Sequence, residues 1–257
     1  MELALCPVTT FRAIIDVLKD LRREVNLDCS ITGIEVFTLD MSNVALVVLV
    51  LPATMFHKYS CPTPVTLGIH LASLAQILHM ADPEVMLELV YEKNSTSFSV
   101  KLENMTSTVV TEFAVQLMTI ESHRIEPHEQ QYPVVVSLPS QKLLKIIRHL
   151  KEFGSELHVN ARADSLRLSV NGLQGVGSVL LRQTKSDSES ESVRIQASEP
   201  VEAVFSSQYL LQFAKAACLS PVAVVSVGAD MPIKVQYNFD DANSGYMQYL
   251  LAQLAEE

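Results

Sequence analysis

The stretch from Phe11 to Val36 recurs, without a gap, 132 residues later in the same chain. Ile14, Ile15, Leu18 and Lys19 fall on Ile146, Ile147, Leu150 and Lys151, and Leu27, Ile34 and Val36 fall on Val159, Leu166 and Leu168. A second register, offset by 136, sets Val65, Leu74, Gln76, Ile77 and Ala81 on Val201, Leu210, Gln212, Phe213 and Ala217. Apolar residues meet apolar residues at most of these positions, and two long blocks in the same order predict two copies of one domain. The 257-residue chain has room for two domains of about 120 to 130 residues, each with its own core. Such a duplication supplies pseudo-symmetry for building a ring.

Within each copy the pattern is strand-rich, with two helices. Alternating or β-branched runs occur at Gly33 to Leu39, Val85 to Tyr91, Ser97 to Leu102, Val134 to Leu138 and Val222 to Val227, mostly separated by turn residues. Helical periodicity covers about Thr9 to Arg23, Leu71 to Met80, Ser140 to Phe153 and Ser207 to Ala217, with Thr10 and Ser140 as candidate N-caps and Gly154 as a candidate C-cap. The fold class is therefore α+β: two similar domains of mainly antiparallel sheet with two helices each. The expected boundaries are a first domain over 1–117, a linker over 118–133, polar around Pro127, and a second domain over 134–257.

Charge is segregated in this acidic chain, whose formal net charge is −10. The helical segments hold nine cations (Arg12, Lys19, Arg22, Arg23, Lys142, Lys145, Arg148, Lys151 and Lys215) against three acids, Asp16, Asp20 and Glu152. At about 100° per residue, Lys142, Lys145, Arg148 and Lys151 take one half of their helix, and Leu143, Ile146, Ile147, Leu150 and Phe153 the other. Arg12, Lys19 and Arg23 likewise oppose Phe11, Ile14, Leu18 and Leu21. A charged face on one amphipathic helix is ordinary solvation. One sign on two repeat-related helices points to a polyanionic partner, because clustered cations repel one another until something neutralises them.

Other classes find little support. The longest apolar run, Val44 to Leu51, has eight residues and stops at Pro52, which makes it a buried strand rather than a membrane span. The N-terminus lacks a signal-peptide pattern, so an intracellular protein is expected. Cys6, Cys29, Cys61 and Cys218 are scattered, as befits reduced thiols, and the sequons at Asn94 and Asn104 are then accidental. No phosphate-cradling glycine loop, G-x-S-x-G or H-E-x-x-H is present, so catalysis, a cofactor and a metal are not expected. His123 and His128 read as solvated linker residues, and Ser186 to Ser192 as a solvated loop that could accept phosphate.

Several stretches resemble the proliferating cell nuclear antigen (PCNA) family, the eukaryotic sliding clamps. They are Leu18-Lys19-Asp20-Leu21, Leu39-Asp40-Met41-Ser42-Asn43-Val44, Phe56-His57-Lys58-Tyr59-Ser60-Cys61, Glu199-Pro200-Val201, Leu219-Ser220-Pro221, Ala229-Asp230-Met231-Pro232 and Gly245 to Ala252. The resemblance runs nearly end to end. It implies a nuclear, closed head-to-tail homotrimer around duplex DNA, with helices inside and strands outside. Such a ring serves as a polymerase processivity factor in DNA replication and repair. Its implied partners are DNA polymerase, the clamp loader, and flap endonuclease and ligase-type proteins carrying a PIP-box peptide.

The resemblance also distributes roles. Arg12, Lys19, Lys145, Arg148 and Lys215 match channel cations, whereas Gln76, His79, Val109 and Gln208 stand where Lys or Arg is common; Lys142 and Lys151 are candidate compensation. Strand Ser107 to Gln116 of one chain would pair with Gly177 to Thr184 of the next, through Val109, Val110, Phe113, Val179 and Leu181, with packing from Ile77, Leu150 and Phe153. The partner-peptide pocket maps to Leu39, Asp40, Asn43, Val44, Leu46, Ile125, Pro127, Tyr132, Met231, Pro232, Tyr249, Leu250 and Ala252. Asn43, Leu250 and Gln253 depart from the usual His, aromatic and Pro. Ala163, beside Arg162, stands where the family carries its ubiquitin-accepting lysine. Two alternatives stay open: a subunit of a heterotrimeric checkpoint clamp, and a metal-dependent DNA-processing enzyme using Asp40, Asp230, Asp240 and Asp241.

Overall fold

The sequence repeat is carried through element by element in the computed structural model, which describes residues 1–5, 8–83, 85–104, 110–121, 130–173, 175–184, 192–239 and 245–254. The chain divides into unit 1 (Met1–Met41, Val48–Glu126 and Asp240–Tyr246) and unit 2 (Ser42–Val47, Pro127–Phe239 and Met247–Glu257). The first half of the chain supplies β1 Glu2–Leu5, α1 Val8–Lys19, β2 Glu24–Ser30, β3 Gly33–Leu39, β4 Ala45–Pro52, β5 Lys58–Ser60, β6 Val65–His70, α2 Leu71–His79, β7 Met86–Val90, β8 Ser97–Glu103 and β9 Val110–Gln116. The second half repeats the order with β10 Val134–Pro139, α3 Ser140–Lys151, β11 Glu156–Arg162, β12 Ser165–Gly172, β13 Gly175–Arg182, β14 Arg194–Ala197, β15 Val201–Ser206, α4 Ser207–Ala214, β16 Val222–Val227, β17 Ile233–Asn238 and β18 Tyr246–Leu251.

A shift of 132 carries α1 onto α3 and β2 onto β11, residue for residue; a shift of 136 carries β6 onto β15 and the first residue of α2 onto that of α4. One hydrogen bond aligns the strands between these registers. Ala53 donates its amide to Thr32 (2.8 Å), and Gln183 donates to Asp164 (3.3 Å). Thr32 and Asp164 are mates at 132, so Ala53 matches Gln183, and β4 matches β13 at a shift of 130. The second copy is therefore longer between β13 and β14, where the Ser186–Ser192 run sits.

Each copy builds one five-stranded arrangement, β5-β1-β7-β8-β9 or β14-β10-β16-β17-β18, and one four-stranded arrangement, β4-β3-β2-β6 or β13-β12-β11-β15. Strand pairs such as β10–β16 and β11–β12 run antiparallel. Period-2 alternation explains the burial, since β10 points Val134, Val136 and Leu138 inward. β4 buries its first five residues, as a strand covered on both faces must. α1 buries Val8, Phe11, Ile14, Ile15, Val17 and Leu18 and packs beside α2; α3 buries Leu143, Ile146, Ile147 and Leu150 and packs beside α4.

The helices are shorter than their sequence periodicity. α1 stops at Lys19, and the Leu21 and Arg22 amides both donate to Leu18 at 3.0 Å, so Arg22 and Arg23 lie beyond the helix. α4 stops at Ala214, and Lys215 begins a 3-10 turn, Lys215–Cys218. Thr10 is inside α1 rather than capping it. Pro139 occupies the α3 N-cap, so Ser140 enters the first turn, where its hydroxyl is buried and meets no hydrogen-bond partner among the described residues. Glu152 is the C-cap of α3. Gly154 instead allows a close approach, because a Cβ there would lie 2.7 Å from the Asn171 carbonyl. Of the expected linker, Met118 bonds Gly68 (3.0 Å) and Ile120 accepts from the Asn26 amide (3.1 Å), which holds both on unit 1.

Candidate nucleic-acid interface, open edges and partner groove

Helix α3 carries four cations and no acid. Lys142, Lys145 and Arg148 are exposed and Lys151 half-buried, and among the described residues none of the four forms an ion pair. Arg148, His149 and Lys151 fall in the last turn, where the helix dipole favours positive charge. The Gln141 side-chain amide donates to the Ala217 carbonyl at 3.2 Å, tying the start of α3 to the turn that carries exposed Lys215.

On the equivalent helix of unit 1 one cation is compensated. Asp16 Oδ1 accepts from Lys19 Nζ at 3.0 Å and lies 3.0 Å from His79 Nε2, so one carboxylate holds a cation of α1 and the imidazole of α2. Burial would raise the Asp16 pKa, but the hydrogen bonds from Lys19 and His79 outweigh it and hold the carboxyl below its ordinary value. The half-buried Arg12 donates to the Ala81 carbonyl at 3.3 Å. Arg22 is half-buried and Arg23 exposed, both past the end of α1.

Among the described residues, two strands leave a long edge without a strand partner: β9, paired to β8, and β13, paired to β12. Both carry exposed apolar side chains, Val110 on β9 and Val176 and Leu180 on β13. Phe113, Val179 and Ile77 are half-buried and Phe153 exposed. Leu150 and Leu181 are buried in unit 2, Leu181 opposite Leu166 across the β12–β13 pair. Of the residues that the resemblance assigns to this edge, Val179 and Leu181 lie on the inward phase of β13, whereas Val176 and Leu180 lie on the outward one. Val109 lies outside the described residues.

Most of the expected groove residues belong to unit 2. The half-buried Tyr132 hydroxyl donates to the Pro232 carbonyl at 3.0 Å, and Lys234 Nζ sits 5.1 Å from its ring centroid. Burial raises the Tyr132 pKa and lowers that of Lys234. The Gln253 side-chain amide donates to the Gly228 and Met231 carbonyls, both at 3.0 Å, and so fixes the turn that presents half-buried Met231 and Pro232 and has Asp230 at a φ of 54°. Gln253 thus supports the turn that carries Met231 and Pro232, which a search for apolar positions overlooks. Val44 and Ala252 are exposed, Asn43 is exposed at a φ of 58°, Leu250 is half-buried, and Leu46 is buried. In unit 1, Leu39 is half-buried and Asp40 buried.

Tyr249 needs correcting. Its exposure is 0%, its ring stacks on Phe213 (4.6 Å between centroids, 13° between planes) and its hydroxyl donates to Met247 Sδ at 2.9 Å, so it belongs to the core. Alternation along β18 turns Tyr249 inward and Leu250 outward. Ile125 and Pro127 lie outside the described residues.

Among the described residues no three His, Cys, Asp or Glu side chains gather as a metal site. Asp240, Asp241, His123, His128 and 186–191 lie outside the described residues. No described helix is long and apolar enough to cross a membrane.

Comparison with known proteins covers both units. The family model described as "Proliferating cell nuclear antigen, N-terminal domain" matches residues 1–125, and "Proliferating cell nuclear antigen, C-terminal domain" matches 126–254. The chain is 31% identical over 253 residues to a protein of Chaetomium thermophilum named "Proliferating cell nuclear antigen", covering 98% of this chain and 97% of that one.

Proposed function

The chain belongs to the proliferating cell nuclear antigen family, and from that premise we propose that it is a non-enzymatic DNA sliding clamp. Three copies close head to tail around duplex DNA, α-helices inward, and the ring serves in the nucleus as a polymerase processivity factor. The groove around Val44, Tyr132, Met231, Pro232 and Leu250 takes PIP-box peptides of replication and repair partners, including polymerase, clamp loader, flap endonuclease and ligase.

One observation carries the ring. The open edges β9 and β13 are the repeat mates of β18 and β4, which lie side by side. Gly245 lies against Pro52, and the Ala252 amide donates to the Val44 carbonyl at 3.2 Å, so β18 and β4 run antiparallel. Carrying that contact through the shifts of 136 and 130 sets Val110 opposite Leu180, Glu112 opposite Ser178 and Ala114 opposite Val176 of the next copy. Exposed apolar residues then face one another, and every chain offers one edge of each kind, which is what a closed heterologous ring requires.

The test is topological. A Val110→Cys, Leu180→Cys variant is oxidised in the presence of a nicked circular duplex and passed through gel filtration in high salt. The cross-linked protein should stay with the circle and leave it once a restriction enzyme linearises the DNA. Loss from the intact circle would overturn the reading.

A further inference from the structure

We propose that the attraction of this clamp for the phosphates of duplex DNA is concentrated on α3, and that Asp16 silences the repeat-equivalent face of unit 1. The inference rests on the clamp reading and says which residues of the chain make the contact.

The two copies of the same helix carry different charge. α1 holds Arg12, Asp16 and Lys19, a formal charge of +1, whereas α3 holds Lys142, Lys145, Arg148 and Lys151 with no acid, a formal charge of +4. At the shift of 132, Lys142 stands at the position of Thr10, Lys145 at Ala13, Lys151 at Lys19, and Arg148 at Asp16. The last is a reversal of sign at one structural position. α2 and α4 contain no Lys, Arg, Asp or Glu, so α3 dominates the charge of the four helices.

Geometry widens the difference. Asp16 engages both Lys19 and His79 at 3.0 Å, so neither offers its full field outward. Arg12 spends a donor on the Ala81 carbonyl. The α3 cations have no such partner among the described residues and follow one another at i, i+3, i+6 and i+9. Successive residues of that row are about 5 Å apart along a helix. Such a row can track a phosphate backbone without reading bases, and uncompensated cations are those whose counterions DNA replaces. Duplex held by this surface is gripped by one helix of each chain rather than evenly by both units.

The test is fluorescence anisotropy of a labelled 30-base-pair duplex with the full-length protein, titrated at several salt concentrations between 50 and 200 mM. Lys142→Gln, Lys145→Gln, Arg148→Gln together should lower the affinity at 100 mM salt by about tenfold or more and flatten the salt slope by up to about 2.7, at about 0.9 per lost phosphate contact. Arg12→Gln, Lys19→Gln should change affinity by less than about twofold, since both side chains are already engaged. Asp16→Asn should strengthen binding by about two- to fivefold, because it frees Lys19 and removes a repelling charge. Unchanged circular dichroism melting controls for folding, as the α3 positions are exposed. Equal losses from the α1 and α3 variants, or weaker binding by Asp16→Asn, would overturn the inference and leave the clamp reading standing. A native protein that fails to bind the duplex at 50 mM salt would overturn the inference alone, since a closed ring stays on DNA by topology rather than by affinity.

Discussion

Leu180→Asp should open the ring. In the single chain Leu180 keeps 42% of its surface exposed and Val110 56%. Burying a whole Leu or Val side chain is worth about 1.5–3 kcal/mol, so covering what remains of these two is worth about 1.5–3 kcal/mol for the pair. An aspartate at 180 forfeits that gain, sits against an apolar residue with Glu112 two positions along the facing strand, and loses hydration. The added penalty is about 1–3 kcal/mol. The sum of about 2.5–6 kcal/mol weakens each junction about 10²- to 10⁴-fold. Sedimentation velocity from 1 to 50 µM should show the variant moving to the monomer while its melting temperature holds. Ile31→Asp is the control: Ile31 is 76% exposed but lies in the β2–β3 turn, away from both edges. If Leu180→Asp keeps the native mass, or Ile31→Asp loses it as well, the register carried over from β18 and β4 is wrong.

Buried hydroxyls offer a contrast within unit 2. Ser140→Ala and Tyr237→Phe each remove a buried hydroxyl that has no partner among the described residues, and both should be neutral or stabilising by up to about 1 kcal/mol in urea melts. Ser207→Ala removes a 2.8 Å bond to the Gly154 carbonyl and should destabilise by about 1 kcal/mol. Asp16 contributes to the acid limb of stability. Its folded pKa lies below the ordinary 3.8, so the stability its pairs contribute is present above about pH 4 and lost as pH falls through the lower folded value. Asp16→Asn should flatten the dependence of melting temperature on pH below about 4, and an unchanged acid limb would contradict that role.

The duplication was legible because it is written in apolar positions, and those positions are the cores. Ile14, Leu18, Leu27 and Ile34, like their mates Ile146, Leu150, Val159 and Leu166, are all buried. Helix ends were less legible, because Arg22 and Arg23 continue the amphipathic pattern past the turn that the Leu18 carbonyl closes. Period-2 reasoning offers two faces for β13 but cannot choose between them. Pairing with Leu166 and Leu168 of β12 turns Leu181 and Val179 inward and leaves Val176 and Leu180 outward. Tyr249 was misplaced for the same reason. The part played by Asp16 was out of reach, since its partner His79 is 63 residues away and no local pattern joins them.

The most direct measurement is the absolute mass of the native protein by size-exclusion chromatography with light scattering, at two salt concentrations. A closed ring of three 28.4 kDa chains predicts a particle of about 85 kDa at both. A particle of 28.4 kDa across micromolar concentrations would contradict the self-sufficient ring and leave β9 and β13 to be met by other chains.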